Sequence, residues 1–209
     1  MNTLFSQRQP NTTSSDYNSL NFAIWQQLAQ VNTMELAVVV AVNDDNTLDA
    51  KPLLNTLTPD NEAVEPTVIH NIPYLRIQAG GNAIKIKPQI RDIGLIGYCQ
   101  RDISGILSSK GQANPQSNRK FSNSDAVYIY SVVNLAAEPI RYIEISDNQI
   151  TVNGNVPLVI NASAMTVNAD LTVNGNIKAT GDVTAGSISL KNHLHGGVTP
   201  GDGLTGAPQ

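Results

Sequence analysis

One cysteine, Cys99, stands alone among 209 residues, so no intrachain disulfide can staple the fold. Charge is scarce: 14% of residues are charged, 13 basic against 17 acidic, for a formal net charge of -4. A chain without a positive excess has no counterions to release, which argues against a nucleic-acid binder. A composition of 41% apolar residues is equally unlike a disordered acidic tail. No apolar run approaches the ~18 residues needed to span a bilayer. The start, Met1 to Arg8, lacks a basic end followed by an apolar core. It therefore carries no signal-peptide pattern, and synthesis in a reducing cytoplasm is expected.

Aromatics are missing from one end only. Every Phe, Tyr and Trp lies at or before Tyr142, and Ile143 to Gln209 has none. That stretch carries seven charged side chains: Glu144, Asp147, Asp170, Lys178, Asp182, Lys191 and Asp202. Aromatics dominate ordinary cores because each buries a large area. A segment without them must stay loose or bury small aliphatics in a narrow space. A boundary is therefore expected near Pro139 to Ile143.

Before that boundary the pattern is of short elements. Met1 to Ser15 is polar and expected to be loose. Asp16 is placed to cap a helix reaching Val31, with Leu20, Ile24, Leu28 and Val31 on one face. Leu36 to Val42 is a continuous apolar run, expected as a buried strand ended by the turn Asn43 to Asn46. Leu48 to Leu54 is placed to pair with it. Further strands are expected at Thr67 to His70, Tyr74 to Ile77, Ile93 to Cys99 and Ala126 to Val133. Gly80-Gly81-Asn82 between Leu75-Arg76-Ile77 and Ile84-Lys85-Ile86 signals a hairpin. Ser104 to Asp125, rich in Ser, Gly, Asn, Gln and Lys, reads as a long exposed loop. Its cations, Lys110, Arg119 and Lys120, are available to a partner, with a solvated loop as the simpler expectation. Short strands between turns suit a small barrel, and an OB-like barrel is preferred.

Beyond the boundary a period of two takes over. Ile150, Val152, Val156, Leu158, Ile160, Ala162 and Ala164 fall on even positions. After a slip near Met165, the odd positions carry Val167, Ala169, Leu171, Val173, Ile177, Ala179, Val183 and Ala185. Thr-Val-Asn-Gly-Asn occurs at 151 to 155 and at 172 to 176, with Thr-Val-Asn-Ala-Asp at 166 to 170. Strand and turn are expected to alternate. One such chain would leave its thin apolar stripe wet and its strand edges open. Three chains wound about a common axis bury the stripe and pair the edges. A single-chain solenoid is the competing reading, but it needs a regular repeat, which these spacings lack.

His193-Leu194-His195 follows. Residues two apart on an extended strand share a side, so one chain offers two imidazoles in one direction. On a threefold axis six would meet, enough for octahedral coordination. Imidazole suits Fe, Ni, Zn or Cu, and six ligands disfavour Zn. A polar pair on an exposed tail remains the plain alternative. Gly196 and Gly197 would let backbones approach closely near such an axis. His70 has no partner in sequence and is read as an ordinary side chain.

Three features together resemble the central spike, or membrane-puncturing, proteins at the tip of contractile phage tails. They are the run Asp92 to Ile103 with its Arg101-Asp102 turn and the later Asp125-Ala126 strand start, the Thr-Val-Asn-Gly-Asn segment, and His193-Leu194-His195. The likeness covers roughly residues 20 to 209. It implies an all-β homotrimer with a short N-terminal helix, an OB-like barrel and an intertwined triple-stranded β-helix ending in a pointed apex. The expected divisions are 1–32, 33–138, 139–190 and 191–209. It also implies one iron ion per trimer, held by His193 and His195 of three chains, with another transition metal as the variant. The tail hub or baseplate is the implied partner, and the host outer membrane a transient one. The Thr-Pro-Gly-Asp-Gly run within Gly196 to Gln209 has no residue-by-residue match to the family and is expected to form the apex itself.

No catalytic constellation is legible. Ser104 lacks a Gly-x-Ser-x-Gly context, and Glu62, Glu65 and Asp92 read as surface charges. No phosphate-binding glycine loop and no Cys-x-x-Cys occurs, so a non-enzymatic protein is expected. The rival function is a trimeric receptor-binding fibre, or adhesin, recognising surface glycan. Such proteins usually carry aromatic platforms distally, and none is present there.

Overall fold

The computed structural model describes residues 14–58, 60–132, 135–197 and 201. The chain divides into two compact units, Met1–Asn155 and Val156–Gln209. Most of its regular structure is β.

Helix α1 spans Asp16–Leu28. Its cap is Ser15, not Asp16: the Ser15 hydroxyl accepts the Asn18 N–H at 3.2 Å. Asp16 sits in the first turn, where a carboxylate suits the positive end of the helix dipole. The helix stops at Leu28, so Val31 lies beyond it, and its expected apolar stripe buries nothing. The expected loose segment lies outside the described residues as far as residue 13.

Strands β1 (Met34–Val42) and β2 (Thr47–Pro52) form an antiparallel pair. The turn between them is held by side chains: Asp45 accepts the Thr47 N–H at 3.0 Å and its hydroxyl at 2.6 Å. Asn46 takes a left-handed φ of 65°, which Asn tolerates better than most residues. Two small hairpins follow, β3 (Thr56–Leu57) with β4 (Ala63–Val64), and, after β5 (Ile69–Pro73), β6 (Ile77–Ala79) with β7 (Asn82–Ile84). The second is the hairpin expected at Gly80-Gly81. Strands β8 (Ile93–Tyr98) and β9 (Ala126–Ser131) complete a five-stranded sheet ordered β5-β2-β1-β8-β9. Its two edges meet at one parallel bridge, Tyr74 to Tyr128, where the Leu75 N–H donates to the Tyr128 carbonyl at 3.0 Å. The sheet thus curls into a half-barrel.

Its interior holds Ala37, Val39, Leu48, Ala50, Ile69, Ile72, Ile96, Tyr98, Ala126 and Tyr128. The apolar run of β1 is not buried on both faces as expected. Ala37 and Val39 point inward while Leu36 and Val38 are half-buried, and a bulge between Val39 and Ala41 leaves Val40 exposed. An antiparallel sheet needs only one apolar face. Gly94 in β8 is forced: a Cβ there would overlap the Tyr128 phenol and the Tyr130 carbonyl.

Several boundaries move. β2 ends at Pro52, β5 runs to Pro73, and of the strand expected at Tyr74 to Ile77 only a bridge at Tyr74 and the start of β6 at Ile77 form. Proline cannot donate to a ladder, so strands end there. Val133 lies outside the described residues. The expected loop Ser104 to Asp125 contains α2 (Ser104–Ser109) and a short 3-10 turn, Asn123–Asp125.

Past residue 139, β10 (Tyr142–Ile145) pairs with β11 (Ile150–Asn153), and β12 (Thr184–Ala185) pairs with β13 (Ile188–Ser189). Between Gly154 and Val183 no strand forms among the described residues. Alternation of strand and turn is therefore realised only where the chain can fold back on itself. A strand exists through its ladder, and the single chain has no ladder partner there. Each large aliphatic side chain from Ile150 to Leu190 is exposed, Leu171 at 71% and Ile177 at 74%.

Candidate functional site: the histidine apex

The last hairpin aims the histidine pair. Gly186, at φ 59°, supplies the left-handed turn between β12 and β13. Asp182 accepts the Lys191 N–H at 3.1 Å. The Ser189 hydroxyl, together with that N–H, holds the Asp182 carboxyl below its ordinary pKa. The same hydroxyl accepts the Asn192 N–H at 2.9 Å. The Ser189 carbonyl then takes two donors from one residue, the His193 N–H at 3.1 Å and the His193 ring at Nδ1, 2.9 Å.

That last contact has a chemical consequence. A carbonyl oxygen only accepts, so Nδ1 of His193 carries the proton, and in the neutral ring the lone pair sits on Nε2. Metal-binding histidines are commonly oriented by such a bond from the other ring nitrogen. His195 lies beside it, ring centroids 5.0 Å apart and inclined at 74°. Leu194 between them is 94% exposed. The two imidazoles predicted from sequence are thus together. No third His, Cys, Asp or Glu joins them among the described residues. One chain supplies two imidazole donors, which fits a transition ion only if other copies supply the rest. An open depression lined by Ile177, Ala179, Val183 and Leu190 lies in the same unit. Ser189 and Asp182 were not singled out from sequence, because a carbonyl acceptor leaves no trace in residue type.

A second cluster lies beside the half-barrel sheet. Arg119 Nη2 meets Asp102 at 2.6 Å and Asp125 at 2.9 Å, while its Nε meets Asp125 at 2.7 Å. Both carboxylates are buried. Asp102 also accepts the Ser104 N–H at 2.9 Å, the Ser104 hydroxyl at 2.5 Å and the Ser117 hydroxyl at 2.8 Å. These serine bonds first, and Arg119 after them, hold the Asp102 carboxyl well below the carboxylate range. Asp125 is held down chiefly by Arg119. Arg119 is therefore an internal clamp that joins Asp102 and Asp125 at the two ends of the segment, not a free cation of a solvated loop. Two of the three carboxylates noted in sequence, Glu65 and Asp92, have local partners too. Glu65 pairs with Lys51 at 2.5 Å, and Asp92 accepts the Gln89 N–H at 2.8 Å. His70, expected to stand alone, lies 2.7 Å from Asp49. Cys99 is half-buried, and burial pushes its thiol pKa up.

Residues 187–209 match the GpV Apex motif family. Residues 187–209 thus carry the apex motif of the phage central spike, which supports the expected likeness to the spike family. The motif points to a structural role in a phage tail spike and to a place in the virion tail. No curated protein sequence matches the chain. The motif spans both histidines and the tail expected to form the tip. Residues 198–200 and 202–209 of that tail lie outside the described residues. No helix among the described residues is long and apolar enough to cross a membrane.

Proposed function

We propose that the protein is the piercing tip of a contractile tail, a homotrimer whose sheath drives it through the host outer envelope. Residues 139–190 form an intertwined triple-stranded β-helix, and 191–209 form its metal-bound apex. Residues 33–138 form an OB-like barrel that attaches to the tail hub or baseplate. The curled five-stranded sheet, with its edges joined at Tyr74 and Tyr128, supports the barrel assignment. The role is mechanical, with no catalysis and no nucleic acid.

One observation carries the reading. From Gly154 to Val183 the chain keeps a period-two apolar pattern, forms no strand and leaves every large aliphatic in water. That stripe has no reason to persist unless something covers it, and neighbouring copies with the same stripe do so symmetrically. Both needs, apolar cover and ladder partners, are met by the same event.

At the apex, His193 and His195 of three chains would hold one iron ion, or another transition ion of similar preference. The ion supplies a cross-link between three chain ends. The chain's own contribution is the Ser189 carbonyl, which holds the proton on Nδ1 of His193 and leaves Nε2 to donate. Mass by light scattering and elemental analysis of untagged protein test the proposal together. The expected result is a trimer with one transition ion per three chains. A stable monomer would remove the needle, and a metal-free trimer would remove the apex assignment. Glycan binding by the purified trimer would favour the fibre reading instead.

A further inference from the structure

The β6–β7 hairpin is built as a contact surface. Its register places Ile77 opposite Ile84. Leu75 and Ile86 lie just beyond the paired strands, and so do Arg76, Lys85 and Lys87. All four apolar residues are exposed, Ile77 at 67%. Scattered apolar residues on a surface need no explanation, but four exposed branched aliphatics gathered on and beside one small hairpin do. Residues 74–91 carry four cations, Arg76, Lys85, Lys87 and Arg91, and no acid, in a chain whose net charge is -4.

The β3–β4 hairpin is its counterpart. Residues 53–68 carry Asp60, Glu62 and Glu65 and no Lys or Arg. They also leave Leu54, Leu57 and Val64 exposed. The two hairpins leave opposite ends of β5, one entering at Ile69 and the other departing after Pro73. A ring of identical subunits needs two different complementary patches on each copy, placed apart. The barrel presents such a pair.

We infer that the basic apolar β6–β7 hairpin of one copy docks on the acidic β3–β4 hairpin of the next, closing the barrels into a head-to-tail ring of three. This rests on the trimer reading and adds to it a second interface, independent of the distal stripe. Lys85 and Lys87 follow β7 directly, and their long flexible stems let the ammonium groups reach acids at the rim while the Ile77–Ile84 pair packs. Opposite charge fixes which patch meets which, and like patches repel. Lys51 already engages Glu65, which leaves Asp60 and Glu62 as the principal acceptors.

Zero-length carbodiimide coupling of the full-length protein tests the contact. Nitrogen-15 and natural-abundance chains are unfolded together, refolded as mixed assemblies, coupled and digested. The expected products join a peptide containing Lys85 or Lys87 of one isotope to one containing Asp60 or Glu62 of the other. Lys85→Gln with Lys87→Gln should abolish them while light scattering still reports a trimer. Heavy–light products should also fall with added salt, because the charges are exposed. A trimer giving no such products, or only single-isotope ones, overturns the inference and leaves the needle intact. A monomer overturns both. Coupling of the same lysines to a co-purified tail protein, with no inter-copy product, assigns the hairpin to the hub and overturns the ring.

Discussion

Leu171→Ala separates a buried stripe from a wet one. In the single chain Leu171 is 71% exposed, and truncating so exposed a residue changes stability by about 0.5 kcal/mol at most. Buried along a threefold axis, the same change removes a packed side chain and leaves a cavity, costing ~3 kcal/mol per chain. Three copies make about 9 kcal/mol, or roughly six powers of ten in the assembly constant at 1.4 kcal/mol each. A three-chain equilibrium depends on the square of free chain concentration. The midpoint concentration for dissociation should therefore rise by about three powers of ten. Sedimentation across a dilution series in fixed guanidinium reads that shift directly. Thr172→Ala, at the neighbouring outward position, is the control and should move the midpoint little. Equal behaviour of the two variants would refute the claim that Leu171 faces other chains.

Three more expectations concern the barrel and the apex. Ile96→Ala empties a fully buried site at the centre of the sheet and should cost about 2–5 kcal/mol, read by urea unfolding followed at the barrel tyrosines. Asp102 and Asp125 titrate below their unfolded values, so the stability they contribute is complete above the ordinary carboxylate pKa and is lost as pH falls through their folded values. The melting temperature should hold steady from pH 7 to 5 and drop below about pH 4. Asp125→Asn should blunt that drop, and Arg119→Met should lower stability at neutral pH, both read by circular dichroism. His193→Ala with His195→Ala should abolish bound metal yet leave a trimer, because in the proposed assembly the aliphatic stripe, not the apex, is the main interface. Hydrogen exchange should then quicken in β12 and β13, checked by mass spectrometry of peptides covering residues 184–195.

The parts of this protein that obey a short-range rule were legible in its sequence. The Gly80-Gly81 hairpin follows from turn chemistry, and the distal stripe follows from a period of two, each set by residues within a few positions. Adjacency of His193 and His195 needs only their spacing. Where a residue's role depended on chain brought from elsewhere, the sequence was silent. Arg119 reads as a loop cation until folding closes 17 residues to bring it onto Asp102. His70 reads as solitary until β2 lays Asp49 beside it across 21 residues. The continuous apolar run of β1 suggested burial on two faces, yet an antiparallel half-barrel shelters only one. The proton on His193 is settled by a backbone carbonyl four residues back, which any amino acid could have supplied. Composition and period determined what kind of surfaces the chain must cover, since they report local geometry. Tertiary structure alone decided which charges neutralise one another, since that depends on loop closure and not on spacing.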